Sequence, residues 1–193
     1  MLSSRSRRAG SCPPLLAEVR RLQSRLRRFE DFALVPSSPA PAAEPAGPDP
    51  DAAFSALKWP PADLRLARAC ARSLEESGKA LGEAAAEARL FGTPVDAFIR
   101  QAASVLREGG RELEAAAREL GRAPDPRAGA LVQARKAFLY VEGLTRKGLA
   151  EQLQGPSVVR MLKTRELYRR LSDAAAHGVE ATDRLAELLV RNP

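Results

Sequence analysis

Apolar residues recur every three or four positions in four long segments after residue 60, the spacing that puts them on one face of an α-helix. Prolines and glycines flank these segments, for example Trp59-Pro60-Pro61 before the first and Gly92-Thr93-Pro94 after it. Long helices joined by short connections favour an all-α antiparallel bundle over residues 59–193, in which consecutive helices are neighbours. The predicted helices run from Pro61 to Leu90, from Asp96 to Leu120, from Arg127 to Leu153 and from Ser157 to Arg191.

Further glycines and prolines mark the remaining boundaries. Gly121 and Pro124-Asp125-Pro126 end the second helix, and Gly155-Pro156 separates the third from the fourth. Inside the second helix stands Gly109-Gly110, which lowers helix stability but permits close packing of a neighbouring helix.

An additional amphipathic helix is predicted over residues 14–34, because Leu15, Leu16, Val19, Leu22, Leu26 and Phe29 recur there at helical spacing. Residues 1–13 before it are predicted to form a disordered basic arm. Residues 35–58 after it are rich in proline and alanine, and repeated prolines remove backbone donors and disfavour the helical conformation of their neighbours. We interpret residues 35–58 as a linker or loop.

The formal charge of +7 is concentrated at the start of the chain, where residues 1–28 carry eight arginines and one acid, Glu18. Arginines on an amphipathic helix over residues 15–32 could bind anionic lipid headgroups or nucleic-acid phosphates. Nucleic acid is the weaker of these two alternatives, since only Phe29 and Phe32 could stack on bases. The alternative that we favour is that the apolar face packs on the bundle. The candidate anion-binding or partner-binding residues are Arg20, Arg21, Arg25, Arg27 and Arg28.

Composition favours a cytoplasmic helical protein. Hydrophobic residues make up 45% of the chain but aromatic residues only 5%, and much of the apolar content is alanine, a strong helix former. Cys12 and Cys70 show no zinc-type spacing, which fits a reducing compartment. No stretch approaches eighteen consecutive apolar residues, so we expect a soluble protein, with attachment to the inner face of the membrane left open.

Catalytic patterns are scarce. The single histidine, His177, has Asp173 four residues before it and Glu180 three after it, a spacing that could hold one zinc ion or form a general base. A lone histidine on an alanine-rich helix is more often exposed or hydrogen-bonded. The usual motifs of nucleophilic and nucleotide chemistry do not occur. We therefore predict a protein that is not an enzyme and needs no cofactor.

Several segments, taken in order, resemble the PhoU-like family. One is Phe54 to Phe91, in which a phenylalanine and a proline-led acidic turn precede a long helix. The others are Lys147 to Leu153, Val158 to Tyr168 (VVRMLKTRELY) and Leu171 to Val190, which are similar to the last two helices of that family. The resemblance covers roughly residues 54–192 and rests on the ordered set of segments.

The resemblance implies a bundle built from two related three-helix repeats and an accessory or regulatory role in inorganic phosphate uptake. The partner would be a membrane phosphate transporter, in the branch of the family associated with low-affinity Pit-type permeases. The resemblance thus implies a protein partner, and self-association into a homo-oligomer is left open. Members of the family also carry Glu/Asp-x-x-x-Asp motifs that bind metal clusters.

This chain departs from those metal motifs at the first acid of each pair. The paired positions hold Arg72 and Glu76, Phe138 and Glu142, Val179 and Asp183, and, in the basic N-terminal helix, Gln23 and Arg27. Because an arginine repels a cation and phenylalanine and valine cannot bind one, we predict that the metal clusters are lost. The vestigial acids are Glu76, Glu142 and Asp183, with Glu76 expected to pair with Arg72. A residual metal-dependent enzyme that uses these acids with His177 is the least favoured hypothesis.

Overall fold

The computed structural model describes residues 12–35, 50–120, 128–154 and 157–191. Every regular element in these ranges is helical, so the predicted all-α bundle is confirmed. The helices are α1 (Pro13–Leu34), α2 (Pro50–Ser55), α3 (Pro61–Phe91), α4 (Ala97–Ala117), α5 (Ala128–Leu153) and α6 (Val158–Arg191).

The five long helices form a closed ring around one hydrophobic core. Going round the ring, α1 packs on α4, α4 on α5, α5 on α6, α6 on α3 and α3 on α1, and α4 also touches α6 across the middle. Contacts between side chains fix the directions of the helices. Arg20 pairs with Glu114 and Glu30 pairs with Arg107, so α1 and α4 are antiparallel. The thiol of Cys70 donates to the carbonyl of Ala181 and the hydroxyl of Ser77 to that of Ala174, so α3 and α6 are antiparallel as well.

The order of helices differs from the predicted one, because α3 and α4 are not neighbours. They do not pack against each other, and α1 lies between them, parallel to α3 and antiparallel to α4. The reason is the apolar stripe of α1, whose buried side chains are each 1–3% exposed and would be left in water if the last four helices closed the ring alone. They are Leu15, Val19, Leu22, Leu26, Phe29 and Phe32.

The regions predicted to lack structure are partly ordered. Cys12 and Pro13, placed in the disordered arm, lie at the start of α1, and Cys12 is buried. The predicted linker contains the short helix α2, because Phe54 and Trp59 supply apolar surface that the core buries. The predictions for residues 1–11, 36–49, 121–127, 155–156 and 192–193 lie outside the described residues.

The glycine pair of α4 serves the close packing that the sequence indicated. A methyl group on Gly110 would lie 2.5 Å from Cδ1 of Leu26 on α1, and one on Gly109 would lie 3.1 Å from Cβ of Ala137 on α5. α4 is therefore held between α1 and α5 at van der Waals distance. Gly92, with φ +59°, ends α3 in the left-handed conformation that glycine adopts without strain.

Candidate functional site

The vestigial acids are separated in the structure. Glu76 lies on the outer edge of α3, with its carboxylate 4.0 Å from the ammonium of Lys79; this is a different partner from the predicted Arg72. Glu142 on α5 pairs with Arg146 of the same helix. Asp183 on α6 accepts a hydrogen bond from Nε of Arg135 at 2.9 Å. Each acid thus has a cationic partner, and the described ranges bring no three side chains of His, Cys, Asp or Glu together in a metal-binding group.

Phe138 occupies a position where the resemblance implies an acid. Its ring is 1% exposed and lies between glycines of the two adjoining helices. A methyl group on Gly178 of α6 would come within 2.6 Å of the ring, and one on Gly109 of α4 within 3.3 Å. Where the resemblance implies a metal ligand, this chain has a core residue held in a slot made by two glycines.

His177 lines a cleft of about 280 Å³ between α3 and α6. Its Nδ1 atom is 3.8 Å from Glu180, whereas Asp173 bonds to Arg169 at 2.9 Å and lies outside this cleft. Arg184 of the same cleft donates to the carboxylate of Glu180 and to the hydroxyl of Ser73. Of the two acids predicted to lie beside His177, the structure therefore places only Glu180 there.

A second cleft, of about 340 Å³, follows the α5/α6 interface. Its apolar wall comes from Phe138, Leu139 and Val179, and Leu139 is 42% exposed. Its polar wall includes the ion pair of Glu142 with Arg146. The cleft is concave, mainly apolar and open at one side. Residues 138 and 179, two motif positions that carry no acid, both line it.

The arginines of α1 point in different directions. Arg20 pairs with Glu114 of α4 at 3.4 Å, and Arg21 pairs with Glu18 at 2.5 Å. Arg25 donates to the carbonyl of Glu75 on α3 at 3.4 Å and packs against Gly78, while Arg28 is half-buried and Arg27 is exposed. Because the apolar face of α1 is buried in the ring, insertion of that face into a membrane would require α1 to leave the bundle.

One end of the bundle concentrates exposed apolar side chains. Twelve large hydrophobic residues are exposed in the described ranges, and eight of them belong to the end where α1, α3 and α5 finish and α6 begins. We call this surface the apolar end. Its exposed residues are Leu34, Val35, Leu90, Phe91, Leu153, Val158, Val159 and Leu162.

The apolar end is shaped by the unequal lengths of the helices. Nζ of Lys163 donates to the carbonyl of Phe91, the last residue of α3, at 2.7 Å, and Tyr168 packs on Gly148, five residues before the end of α5. The first turn of α6 therefore projects beyond both neighbours, and residues 157–160 are all exposed. The exposure of this turn was not predicted from the sequence; its signal is the pair Val158-Val159 followed by cations at residues 160, 163 and 165.

Asp96 ties the helices together just inside the apolar end. Its carboxylate accepts hydrogen bonds from the amide of Ile99 at 2.9 Å, from Tyr168 at 2.5 Å and from Gln152 at 3.3 Å. It thus caps α4 and links that helix to α5 and α6. Burial of the phenol, together with its hydrogen bond to Asp96, raises the pKa of Tyr168 above its usual value, so this bond persists through the neutral range.

Comparison with protein families, with curated proteins and with solved structures finds no match to this chain. None of the helices in the described ranges combines the length and the apolar character that crossing a bilayer requires.

Proposed function

We propose that this chain is a non-catalytic, PhoU-like accessory protein of inorganic phosphate transport that acts by binding another protein at the α5/α6 cleft. The observation that supports a binding role is the cleft itself, in which Leu139 and Val179 present apolar surface beside a charged rim. The link to phosphate transport rests on the resemblance of residues 54–192 to that family. The proposed partner is a membrane phosphate transporter of the Pit type.

The phosphate part of the proposal is tested by phosphate uptake in the source organism with and without the gene. We expect deletion to change the initial uptake rate of labelled phosphate, and expression of the wild-type chain to restore it. Equal uptake with and without the gene, at both low and high phosphate, would remove phosphate transport from the proposal.

The cleft is tested by the variant Leu139→Asp, with Val132→Asp as its matched control. Both residues are exposed on α5, at 42% and 51%, but only Leu139 lines the cleft. A carboxylate at position 139 places an unpaired charge in the apolar contact, so we expect binding to the purified permease to weaken at least about tenfold. Equal affinities of the two variants would exclude the cleft as the binding surface.

A further inference from the structure

We propose that the apolar end docks on an anionic membrane surface, with the first turn of α6 inserted among the lipid headgroups. This inference goes beyond the proposed function, because it concerns a different surface and requires no transporter. It rests on three properties of the apolar end: exposed aliphatic side chains, a projecting helix turn and an excess of cations.

The projecting turn has the composition of an interfacial membrane contact. Val158, Val159 and Leu162 are 67%, 64% and 51% exposed, and Leu153 and Leu90 beside them are 64% and 78% exposed. Side chains of this kind gain free energy when they leave water for the boundary between headgroups and acyl chains. A soluble domain seldom gathers so many exposed aliphatic residues at one end without a surface that covers them.

Cations flank the residues of the apolar end that lie on α5 and α6. The stretch from Lys147 to Arg165 contains four basic residues and a single acid, Glu151. Arg160 and Arg165 are exposed on the projecting turns of α6, and Lys147 is exposed on the last turns of α5. Asp96, the nearby acid that caps α4, is already engaged in hydrogen bonds to three groups. The local charge therefore complements a surface of anionic lipids.

The shape of the apolar end favours a membrane over a protein partner. A peptide or an amphipathic helix binds in a groove, and the two clefts described above run along the sides of α6. The aliphatic residues of the apolar end lie instead at the ends of four helices, α1, α3, α5 and α6, and neither of these two clefts includes them. A second copy of the chain is also disfavoured, because two basic ends would repel each other.

The test is sedimentation of the purified full-length protein with lipid vesicles. One set contains phosphatidylcholine alone, and the other contains about 30 mol% phosphatidylglycerol, an anionic lipid. We expect binding to the anionic vesicles only, and we expect it to weaken as salt screens the headgroup charge. Absence of binding to the anionic vesicles, or equal binding to both sets, would overturn the proposal.

Two variants assign the binding to the apolar end by independent routes. Arg160→Gln/Arg165→Gln removes two exposed cations, and we expect its partition coefficient to fall about fivefold for each cation removed. Val158→Ser/Val159→Ser removes aliphatic surface and keeps the charge; we expect a loss of about tenfold or more. All four residues are exposed, so far-UV circular dichroism should stay unchanged.

Matched controls lie elsewhere on the chain. Arg20→Gln/Arg27→Gln removes two exposed cations from α1, and Val132→Ser/Val190→Ser removes two exposed valines away from the apolar end. We expect both controls to bind within about twofold of the wild-type protein. A loss in the α1 control that equals the loss in the α6 charge variant would assign the binding to the arginine-rich helix and contradict the proposal.

Discussion

At the scale of single residues, the packing of Phe138 against two glycines makes a sharp prediction about stability. The variant Gly178→Ala would place a methyl group 2.6 Å from the Phe138 ring, and Gly109 lies close to the same ring on α4. We expect it to lower the free energy of unfolding by about 1–3 kcal/mol, in spite of the higher helix propensity of alanine. Chemical denaturation monitored by circular dichroism measures the change.

Gly143→Ala is the control for this variant, since a methyl group at position 143 meets no atom within 4 Å. We expect it to raise the free energy of unfolding by up to about 1 kcal/mol through helix propensity alone. In the Gly178→Ala background, Phe138→Leu should recover part of the lost stability, because the smaller side chain vacates the overlap. Equal effects of the two alanine variants would mean that Phe138 is not held as described.

Because two thiols are buried in the fold, we predict a loss of stability in alkaline solution. Burial raises the pKa of Cys70 from 9.0 to about 12 and that of Cys12 from 9.0 to about 11. Because the folded values lie above the unfolded one, the neutral thiols stabilise the fold fully below pH 9, and this contribution is lost as the pH rises towards the folded values. We expect the free energy of unfolding to fall between pH 9 and pH 11.

The double variant Cys12→Ala/Cys70→Ala isolates the thiol contribution. Tyr168, whose pKa is also raised, titrates in both proteins, so its effect cancels in the comparison. The variant should lose less stability than the wild-type protein over the same pH interval. Parallel pH profiles of the two proteins would show that the thiols titrate alike in the folded and unfolded states.

At the scale of helices, periodicity predicted where each helix lies but not which helices touch. The spacing of Leu22 and Leu26 identified an amphipathic α1, and Gly92 marked the end of α3. An apolar stripe shows that a face must be buried and leaves its partner open, so the place of α1 between α3 and α4 could not be derived from it. The same limit applies to Val158 and Val159, because their exposure depends on how far α6 extends past its neighbours.

From the place of α1 in the ring we predict that its apolar residues affect stability much more than its exposed arginines do. Leu26 is 1% exposed and contacts α4 at Gly110, so Leu26→Ala should lower the free energy of unfolding by about 2–5 kcal/mol. Arg27→Gln, on the exposed side of the same helix, should change it by less than about 0.5 kcal/mol. Denaturant titration distinguishes this result from a peripheral α1, for which both variants would be nearly neutral.

Deletion of residues 1–34 is therefore a poor test of anion binding by the arginines. It removes α1 together with Leu26, Phe29 and Phe32, which belong to the core. Loss of binding after such a deletion would follow from unfolding alone. Charge substitutions on the exposed side of α1 leave the core intact, which is why they serve as controls in the vesicle experiment.

At the scale of the whole molecule, the scaffold could be predicted from the sequence, whereas the candidate sites could not. The all-α bundle followed from helical periodicity and from the composition of the chain. The clefts and the apolar end depend on which residues from distant segments meet, as Phe91 and Lys163 do, and no periodic signal encodes such a meeting. Residues 138 and 179 were singled out from the sequence, but that they line the same cleft is known only from the structure.

Because the helices share a single core, we predict that the molecule unfolds as one unit. One cluster of buried side chains connects α1 to α6 and includes Trp59 near the start of α3. Fluorescence of this only tryptophan and far-UV circular dichroism should therefore report the same unfolding midpoint. Leu26→Ala should lower both midpoints together, by about 2–4 °C for each kcal/mol lost. An earlier fluorescence transition, or a shift of one signal alone, would show that α1 and the bundle unfold separately.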